Sequence, residues 1–297
     1  MKIYYSEEVQ DAFSDQTPIL ALESTIISHG MPYPQNIDFL KEAESICRNS
    51  GVVPATIVII SGKIYIGVEK KQIEIIAKDS SVKKVSRREI GTAISKKWHG
   101  AVTVSATMQI AFNAGIKVFS TGGIGGVHRN VENTLDISED LTTLGTIPMI
   151  VVSAGAKAIL DIGRTLEYLE TIGVTVLGYK TGEFPAFYSR RSGLEIEKIN
   201  SSVEISDIYR QHTDCNLKSA IMVANPIPKK DEIPTKDINR IIKVACSSAR
   251  NNGVSGKSLT PYLLTEIVRN TNGKSLDANI ALALNNVKLG AKISKKI

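Results

Sequence analysis

Cysteine is scarce in this sequence of 297 residues, and the few cysteines present form no pattern. Cys47, Cys215 and Cys246 are scattered along the chain. They show neither the framework of a disulfide-rich secreted domain nor the CxxC spacing of a metal or redox site. This scarcity favours a reducing compartment, and we predict a cytoplasmic protein.

Long apolar runs, targeting signals and repeats are also missing. No apolar run reaches the length of a membrane span, and the start of the chain, MKIYYSEEVQDAF, is too polar and acidic for a signal peptide. Neither a repeat with a solenoid period nor a linker divides the chain. We therefore predict one domain over residues 1–297 that contacts no membrane.

Several ligand-binding motifs are incomplete or absent. STGGIGGVHRN, residues 120–130, lacks the last glycine of a dinucleotide fingerprint, and neither GKS triplet has the preceding glycine of a phosphate-binding P-loop. The histidines are not clustered, which argues against zinc. The net charge of +6 is mild for this length, and no DNA- or RNA-binding pattern accompanies it. We expect no nucleic-acid partner.

Apolar β-rich runs do alternate with helix-like segments. Residues 56–68 predict a hairpin that turns at Ser61-Gly62-Lys63. Further strands are predicted at 116–120, 147–153, 174–179 and 219–228, and the spacing of apolar residues predicts a helix over 156–172. Strand, helix and strand over 147–179 form a β-α-β unit, so we expect layers of α and β structure.

The stretch VVSAGAKAIL, residues 151–160, places Lys157 in an apolar run of small residues. Lysine is rarely buried without a partner. The first turn of a helix and partial burial both disfavour an ammonium group, so they favour the neutral amine that a Schiff base requires. Gly155 and Ala156 would let a substrate approach. Alternatively, the lysine stem packs on the apolar wall while its ammonium group reaches water.

Glu23 directly follows the predicted strand ILAL and precedes two hydroxyl-bearing residues. Desolvation there would raise the pKa of its carboxyl group and suit it to general acid–base catalysis. The alternative is a glutamate at a strand end that pairs with a lysine. The glycines of residues 122–126 can present backbone N–H groups to a phosphate or a carboxylate, or simply form a tight turn.

Three further stretches carry candidate binding groups. Asp136, Glu139 and Asp140 suit a hard cation that keeps its waters, or a capping box in which Asp136 is the N-cap and Glu139 reaches back to it. The basic stretch 83–89 suits an anion site for a phosphorylated substrate, or a solvated surface. The aromatic residues of 184–188 suit the core, or the stacking of a flat heterocycle.

A set of longer motifs occurs between about residues 18 and 287. In chain order they are ALESTIISHGMPYP, PATIVIISGKIYIGV, KKVSRREI, TVSATM, FSTGGIGGVHR, DISEDL, VVSAGAKAILD, EFPAFYSRRSG, NPIP and GKSLTPYLL. Together they closely resemble the pseudouridine-5′-phosphate glycosidase family, also known through the indigoidine-synthase-A-like proteins. Several long motifs in register are far more specific than any one of them.

The resemblance implies a single three-layer α/β/α domain with a mixed central sheet, assembled as a homotrimer. It implies the activity of a pseudouridylate synthase, a glycosidase and lyase of pseudouridine catabolism. The reaction is the reversible cleavage of the C–C glycosidic bond of pseudouridine 5′-phosphate to uracil and ribose 5-phosphate, through a lysine Schiff base. There are two alternatives. One is a lyase that acts on another C-glycosyl or sugar phosphate, and the other is a non-catalytic protein that binds RNA or another ligand.

The resemblance also implies roles for particular residues. Lys157 is the expected nucleophile, Glu23 the expected acid and base, and Asp136 the ligand of one Mn²⁺ per subunit held largely through waters, with Mg²⁺ or another divalent cation as the alternative. The remaining implied substrate contacts are Lys84, Val104, His128, Ser138, Glu139, Asp140 and Asn279. The sequence departs from the family pattern once, because Glu139 stands where the family usually has alanine.

Overall fold

A mixed β-sheet forms the centre of the protein. The computed structural model describes residues 2–254 and 256–297, so Met1 and Ser255 of the domain expected over 1–297 lie outside the described residues. The strands within those ranges are β1 (Ile3–Tyr5), β2 (Ile19–Leu22), β3 (Val53–Ile60), β4 (Lys63–Ile66), β5 (Lys83–Val85), β6 (Gly100–Val102), β7 (Val118–Ser120), β8 (Ile150–Ser153), β9 (Thr175–Tyr179), β10 (Glu197–Ile199) and β11 (Ile221–Ala224).

Helices cover this sheet, which confirms the predicted α/β/α class with a mixed central sheet. They are α1 (Glu7–Ser14), α2 (Thr25–His29), α3 (Gln35–Asn49), α4 (Lys70–Lys78), α5 (Ile90–Ser95), α6 (Val104–Asn113), α7 (Val131–Thr134), α8 (Glu139–Leu144), α9 (Ile162–Thr171), α10 (Ser202–Asp214), α11 (Thr235–Asn251), α12 (Leu259–Asn270) and α13 (Lys274–Ser294). The long α13 packs across β2, β7 and β8. Within the described ranges, none of these helices combines the length and the apolar character that crossing a membrane requires.

The strand order is β1-β4-β3-β2-β7-β8-β11-β9-β10, with β6 and β5 branching from β3. Strands β2, β7, β8, β11 and β9 run parallel, and most of their residues are buried, as in sheets covered on both faces. Their carboxyl ends therefore meet at one edge of the sheet, which is where open α/β sheets bind ligands. The predicted β-α-β unit is confirmed as β8, α9 and β9, with β11 inserted between the two strands.

The predicted hairpin is confirmed as β3 and β4. Ile60 pairs with Lys63, and the two residues between them, Ser61 and Gly62, have φ angles of +49° and +74°. Two consecutive residues with positive φ form the turn that matches the twist of an antiparallel pair. The hairpin puts β4 against β3, antiparallel to it.

One edge of β3 pairs with two strands in succession. Leu22 at the end of β2 pairs with Thr56 in parallel, whereas two residues further along, Val58 pairs with Ala101 of the antiparallel β6. Lys84 of β5 then pairs with Ala101. The chain that follows β2 must leave the sheet at this point, since β6 takes over the edge.

Hydrogen bonds fix the chain where it leaves β2. The Ser24 Oγ accepts from the backbone N–H of Val102 at 2.9 Å, and the Thr25 Oγ1 donates to the carbonyl of Ala101 at 3.2 Å. Glu23 precedes both of these residues and is therefore held between β2 and β6.

The helix predicted from residue 156 begins only at Ile162, and that part of the prediction is wrong. Asp161 is the N-cap, with its Oδ1 accepting from the N–H of Arg164 at 3.0 Å. Lys157 instead lies in a turn, in which the N–H of Leu160 donates to its carbonyl at 2.9 Å. Lys157 is therefore not in the first turn of this helix. The apolar spacing continued through this turn because Ile159 and Leu160 are buried there.

The capping box predicted around Asp136 is also wrong. Helix α8 begins at Glu139, and its N-cap is Ser138, whose Oγ accepts from the N–H of Asp140 at 3.3 Å. Serine and aspartate are both preferred N-caps, so the sequence did not decide between them. The carboxylate of Asp136 is consequently not used to cap the helix.

Candidate active site

Two adjoining cavities open at the carboxyl ends of the parallel strands. The larger, which we call the charged compartment, has a volume of about 1430 Å³ including its open mouth; its lining includes Lys84, Ser86, Arg88, Val104, Gly125, His128, Asp136, Ser138, Glu139 and Asp140. The smaller, which we call the apolar compartment, has about 510 Å³; its lining includes Ile26, His29, Gly122, Gly123, Phe187, Pro261, Leu264 and Asn279. The two share a wall formed by Glu23, Thr25, Lys84, Lys157 and Thr260.

All the site residues predicted from the sequence line these cavities. Lys157, Glu23 and Lys84 belong to the shared wall, and Asn279 lines the apolar compartment. The remaining predicted residues all line the charged compartment, namely Val104, His128, Asp136, Ser138, Glu139 and Asp140. The fold therefore brings together groups that lie more than 250 residues apart in the chain.

Lys157 is half-buried in the shared wall. Its backbone N–H donates to the carbonyl of Ile124 at 3.1 Å, which ties its turn to the glycine-rich loop. Gly155 has φ = +82°, and a Cβ there would lie 2.4 Å from the Pro185 carbonyl. Ala156 is fully buried. Gly155 is therefore small because of local packing, and neither residue lines either compartment, which argues against the expectation that they admit a substrate.

Glu23 lies in the shared wall and is only 6% exposed. Burial raises the pKa of its carboxyl group above the ordinary range, although the charge of Lys157, a hydrogen bond from Thr121 and the charge of Lys84 all act to lower it. The prediction of a raised pKa is thus confirmed. A buried carboxyl group with a raised pKa can hold a proton and deliver it to a reacting atom.

Thr121 is the hydrogen-bond partner of Glu23, and the sequence patterns assigned it no role. Its Oγ1 donates to the Glu23 Oε1. The buried amide of Asn286 holds the backbone nearby, since its Nδ2 donates to the carbonyls of Thr121 at 2.8 Å and Gly122 at 3.2 Å. One signal was available: Thr121 directly follows β7, just as Glu23 directly follows the neighbouring β2.

Asp140 fixes the geometry of the charged compartment. Its Oδ1 accepts from the backbone N–H of Ser105 at 2.9 Å, and its Oδ2 accepts from that of Gly125 at 2.8 Å. A Cβ on Gly125 would lie only 2.1 Å from the Ser138 Oγ. The glycine-rich loop therefore binds the carboxylate of Asp140 rather than that of a ligand. Both oxygens of this carboxylate accept hydrogen bonds from the backbone.

Asp136 lies at the mouth of the charged compartment, with 40% of its side chain exposed. His128 Nδ1 lies 3.7 Å from the Asp136 Oδ2. Burial lowers the pKa of the His128 imidazole, against the opposing effect of Asp136, and Lys84 and Lys157 lower it further. A neutral imidazole therefore faces an open carboxylate.

These acidic groups can be tested against the metal that the resemblance implies. Residues 2–254 and 256–297 hold no group of three or more His, Cys, Asp or Glu side chains arranged around one point. A dedicated protein cage is thus not built there. A single open carboxylate at Asp136 facing a large polar cavity does fit a hard cation that keeps most of its waters.

Glu139 contacts the basic stretch 83–89, which begins with β5. Its Oε2 accepts from the backbone N–H of Arg88 at 3.3 Å, and the Arg88 Nε donates to the Glu89 Oε1 at 2.9 Å. Lys84 and Arg88 line the charged compartment, whereas Lys83 is exposed outside it. The stretch is thus partly a cavity wall and partly surface, and Glu139 links it to α8.

Phe187 forms one wall of the apolar compartment. Its ring packs edge-on against Tyr188, with centroids 4.8 Å apart, and a Cβ on Gly123 would lie 2.5 Å from it. Phe184 and Tyr188 are core residues, whereas Phe187 also borders the cavity. The sequence patterns gave no role to other lining residues, among them His29, Thr260, Pro261 and Leu264.

Comparison with known protein families gives a clear match over nearly the whole chain. A family model described as "Indigoidine synthase A like protein" matches residues 8–296. The chain belongs to this family.

Curated relatives of this chain carry one activity in their names. The pseudouridine-5′-phosphate glycosidase of Staphylococcus aureus (strain MW2) is 52% identical, covering 98% of this chain and 95% of the relative. That of Caldanaerobacter subterraneus subsp. tengcongensis is 50% identical, with the same shares covered. Each alignment therefore includes all the site residues described above.

Solved structures of the family share the fold. An indigoidine synthase A like protein from Thermotoga maritima aligns with a TM-score of 0.90 at 36% identity, covering 98% of this chain and 95% of that one. The prealnumycin C-glycosynthase, solved with ribulose 5-phosphate, aligns with a TM-score of 0.90 at 34% identity, covering 99% and 97%.

The site contains the groups needed for covalent catalysis by an amine on a substrate that carries a phosphate and a flat ring. The amine of Lys157 can attack an electrophilic carbon, and the carboxyl group of Glu23 beside it can exchange a proton. Cationic side chains at Lys84 and Arg88 can balance a phosphate. The apolar compartment offers Phe187 to a flat ring.

Proposed function

We propose that the protein cleaves the C–C glycosidic bond of pseudouridine 5′-phosphate reversibly, giving uracil and ribose 5-phosphate. One observation carries the proposal: a charged and an apolar compartment meet at Lys157 and Glu23. The substrate has the same division, because a charged sugar phosphate and a flat base meet at the bond to be broken. The names of the relatives at about half identity support the same activity.

Lys157 is the proposed nucleophile. Its neutral amine attacks C1′ of the ribose, the C1′–O4′ bond breaks, and O4′ takes up a proton as the ring opens. The nitrogen lone pair then forms a C1′=N bond, and the electron pair of the C1′–C5 bond stays with uracil. Water hydrolyses the resulting imine, which releases ribose 5-phosphate and regenerates the amine. A covalent route of this kind splits one difficult step into easier ones.

Glu23 is the proposed proton donor to C5 of the leaving uracil. Its raised pKa keeps the carboxyl group protonated to a higher pH than usual. The hydrogen bond from Thr121 fixes the orientation of the carboxyl group beside Lys157. In the synthetic direction Glu23 takes the same proton back.

The charged compartment is the proposed site of the sugar phosphate. Lys84 and Arg88 supply positive charge, while Val104, Ser138 and His128 complete the wall. Asp136 would hold Mn²⁺ or Mg²⁺ largely through waters, with Glu139 and Asp140 close by in the chain. When bound, the cation supplies positive charge beside the sugar phosphate.

A lyase acting on another C-glycosyl compound is the second candidate. The likeness to the prealnumycin C-glycosynthase, solved with ribulose 5-phosphate, favours it. The charged compartment would serve the same sugar phosphate end, and the difference would lie in the ring bound by the apolar compartment. The homotrimer remains a proposal that rests on the family resemblance, and the cytoplasmic location one that rests on the scarcity of cysteine.

The decisive assay measures free uracil. The protein is incubated with pseudouridine 5′-phosphate and Mn²⁺, with and without a chelator, and uracil is quantified by chromatography. We expect uracil release that the chelator reduces. Absence of uracil from folded, metal-loaded protein would contradict the proposed function, and release from a different C-glycosyl phosphate would favour the second candidate.

A further inference from the structure

His29 lines the apolar compartment but has no role in the reaction proposed above. It is the last residue of α2 and lines the cavity that also holds Asn279. Its Nε2 is buried, and it has no hydrogen-bond partner among residues 2–254 and 256–297. Buried polar atoms nearly always have a partner, so this nitrogen calls for an explanation.

The helix that carries His29 is fixed at both ends. At its start the Thr25 Oγ1 donates to the carbonyl of Ala101 at 3.2 Å. Near its end the buried Asn36 donates from Nδ2 to the carbonyl of Ile27 at 3.0 Å and to that of Ala77 at 3.0 Å. The helix therefore holds the imidazole at a defined position.

The His29 ring is uncharged at neutral pH. Burial lowers the pKa of its imidazole below the ordinary value, and the positive charge of Lys84 lowers it further. A neutral imidazole offers one N–H donor and one acceptor nitrogen. Leaving such an atom buried and unpaired destabilises a protein, unless a ligand supplies the missing partner.

The surroundings of His29 define what that ligand must be. Phe187 and Leu264 form apolar walls of the compartment, and Gly123, which has no Cβ, lets the ring of Phe187 pack directly against its backbone. Asn279 contributes an amide to the same cavity. Apolar walls with an imidazole and an amide suit a flat ring that carries carbonyl and N–H groups at its edge.

We propose that His29 is a base-recognition residue, whose Nε2 forms a hydrogen bond with a carbonyl or ring N–H group of the leaving base. This inference rests on the proposed function and deepens it, because it names the residue that selects the base. Asn279 then binds another group on the same ring. Neither residue is required for the sugar phosphate to bind or to react with Lys157.

The test measures binding of the base and reaction of the sugar phosphate separately. The variants are His29→Leu, which removes the polar nitrogens, and His29→Gln, which keeps an amide near the position of Nε2. His99→Leu is the matched control, since His99 lines neither compartment and its Nδ1 accepts from the N–H of Ser61 at 3.3 Å. The KM for uracil is measured in the synthetic direction, and borohydride trapping of ribose 5-phosphate on Lys157 is measured without uracil.

We expect His29→Leu to raise the KM for uracil about tenfold, as the loss of one hydrogen bond to a ligand implies, while trapping stays at the wild-type level. His29→Gln should recover most of the affinity, and His99→Leu should behave as wild type. Comparing uracil with 2-thiouracil and 4-thiouracil identifies the group contacted. If the His29 ring donates to a carbonyl, the wild type should discriminate against the analogue with sulfur at that position, because sulfur accepts hydrogen bonds poorly, and His29→Leu should lose that discrimination. Equal use of both analogues by the wild type would assign the contact to a ring N–H group.

Two results would overturn the inference alone. One is an active wild type whose uracil KM is unchanged in His29→Leu. The other is an equal loss of trapping and of uracil affinity, which would assign His29 a general structural role. A folded wild-type protein that produces no pseudouridine 5′-phosphate from uracil and ribose 5-phosphate would instead overturn the proposed function, and the inference would fall with it.

Discussion

The charged and apolar compartments are built in different ways. The charged compartment draws most of its wall from three short stretches, 84–89, 103–104 and 136–140, and the backbone N–H groups that bind Asp140 hold it in place. The apolar compartment takes its walls from seven separate parts of the chain, most of which contribute only one or two residues, and relies on side-chain packing. Hydrogen bonds between a carboxylate and the backbone fix positions closely, whereas apolar packing tolerates substitutions of similar volume.

This contrast suggests how the two ends of a substrate are selected. A site fixed by charge and backbone is expected to bind one kind of group, here the sugar phosphate. A packed apolar wall can change its shape through a few substitutions. Relatives with different base preferences should therefore differ mainly around the apolar compartment, and the shared wall between the two should change least.

The largest expected effect is at the shared wall. Lys157→Ala removes the amine that joins the chemistry of both compartments, so uracil release should fall by more than about a thousandfold. Borohydride with ribose 5-phosphate should then leave the mass of the protein unchanged. Circular dichroism should show the fold retained. An adduct that still forms in Lys157→Ala would place the nucleophile elsewhere.

Glu23→Gln should separate covalent capture from carbon–carbon cleavage. Glutamine can still accept the hydrogen bond from Thr121 but cannot donate a proton as a carboxyl group does. We expect turnover to fall by about a hundredfold to ten-thousandfold, while ribose 5-phosphate is still trapped on Lys157. Turnover within tenfold of the wild type would remove Glu23 from the proton transfer.

Gly125→Ala should damage the charged compartment alone. The new Cβ would lie 2.1 Å from the Ser138 Oγ and 2.8 Å from the Asp140 Oδ2, so that wall must move. We expect the free energy of unfolding to fall by about 1–3 kcal/mol and the KM for ribose 5-phosphate to rise at least about tenfold. The KM for uracil should change little. Gly91→Ala, where a Cβ meets nothing within 4 Å, is the control.

Gly123→Ala is the corresponding change in the apolar compartment. Its Cβ would lie 2.5 Å from the Phe187 ring, which must shift into the space proposed for the base. We expect a rise of several-fold in the KM for uracil, with trapping of ribose 5-phosphate retained. The effect should be smaller than in Gly125→Ala because a side chain, not a carboxylate network, has to move. Equal effects on both substrates would show that the compartments are not independent.

The smallest effect concerns stability and pH. Because the folded state raises the pKa of Glu23 from its ordinary value of 4.5, it keeps a proton that the unfolded chain has already released. The wild type should therefore lose stability, relative to Glu23→Gln, as the pH rises from about 4.5 through the raised pKa. Denaturant unfolding of both proteins across this pH range measures the difference. Parallel curves would contradict the raised pKa.

The sequence predicted the charged compartment better than the apolar one, for a physical reason. Clustered charged residues can be recognised from their type and spacing, as Asp136 and Asp140 can. The hairpin around Gly62 and the strand before Glu23 were likewise predictable, because turn residues and apolar runs are local signals.

Other features depended on tertiary structure. Residues such as His29 and Leu264 look like ordinary helix residues, and only the fold puts them in one cavity. The start of α9 was misplaced because the apolar spacing continued through the turn that holds Lys157. Local periodicity reports which residues are buried, and a buried turn can imitate the first turn of a helix.

The divided edge of β3 has a consequence for redesign of the enzyme. Through backbone pairing, Thr56 sets the position of Leu22 and thus of Glu23, while Val58 sets that of Lys84 through β6. The positions of Glu23 and Lys84 therefore both depend on β3, through two of its residues, Thr56 and Val58, that lie two positions apart. Mutational libraries aimed at new bases can be confined to the cavity-lining residues of α2, α12 and α13 other than Thr25, which leaves the pairing of β3 unchanged.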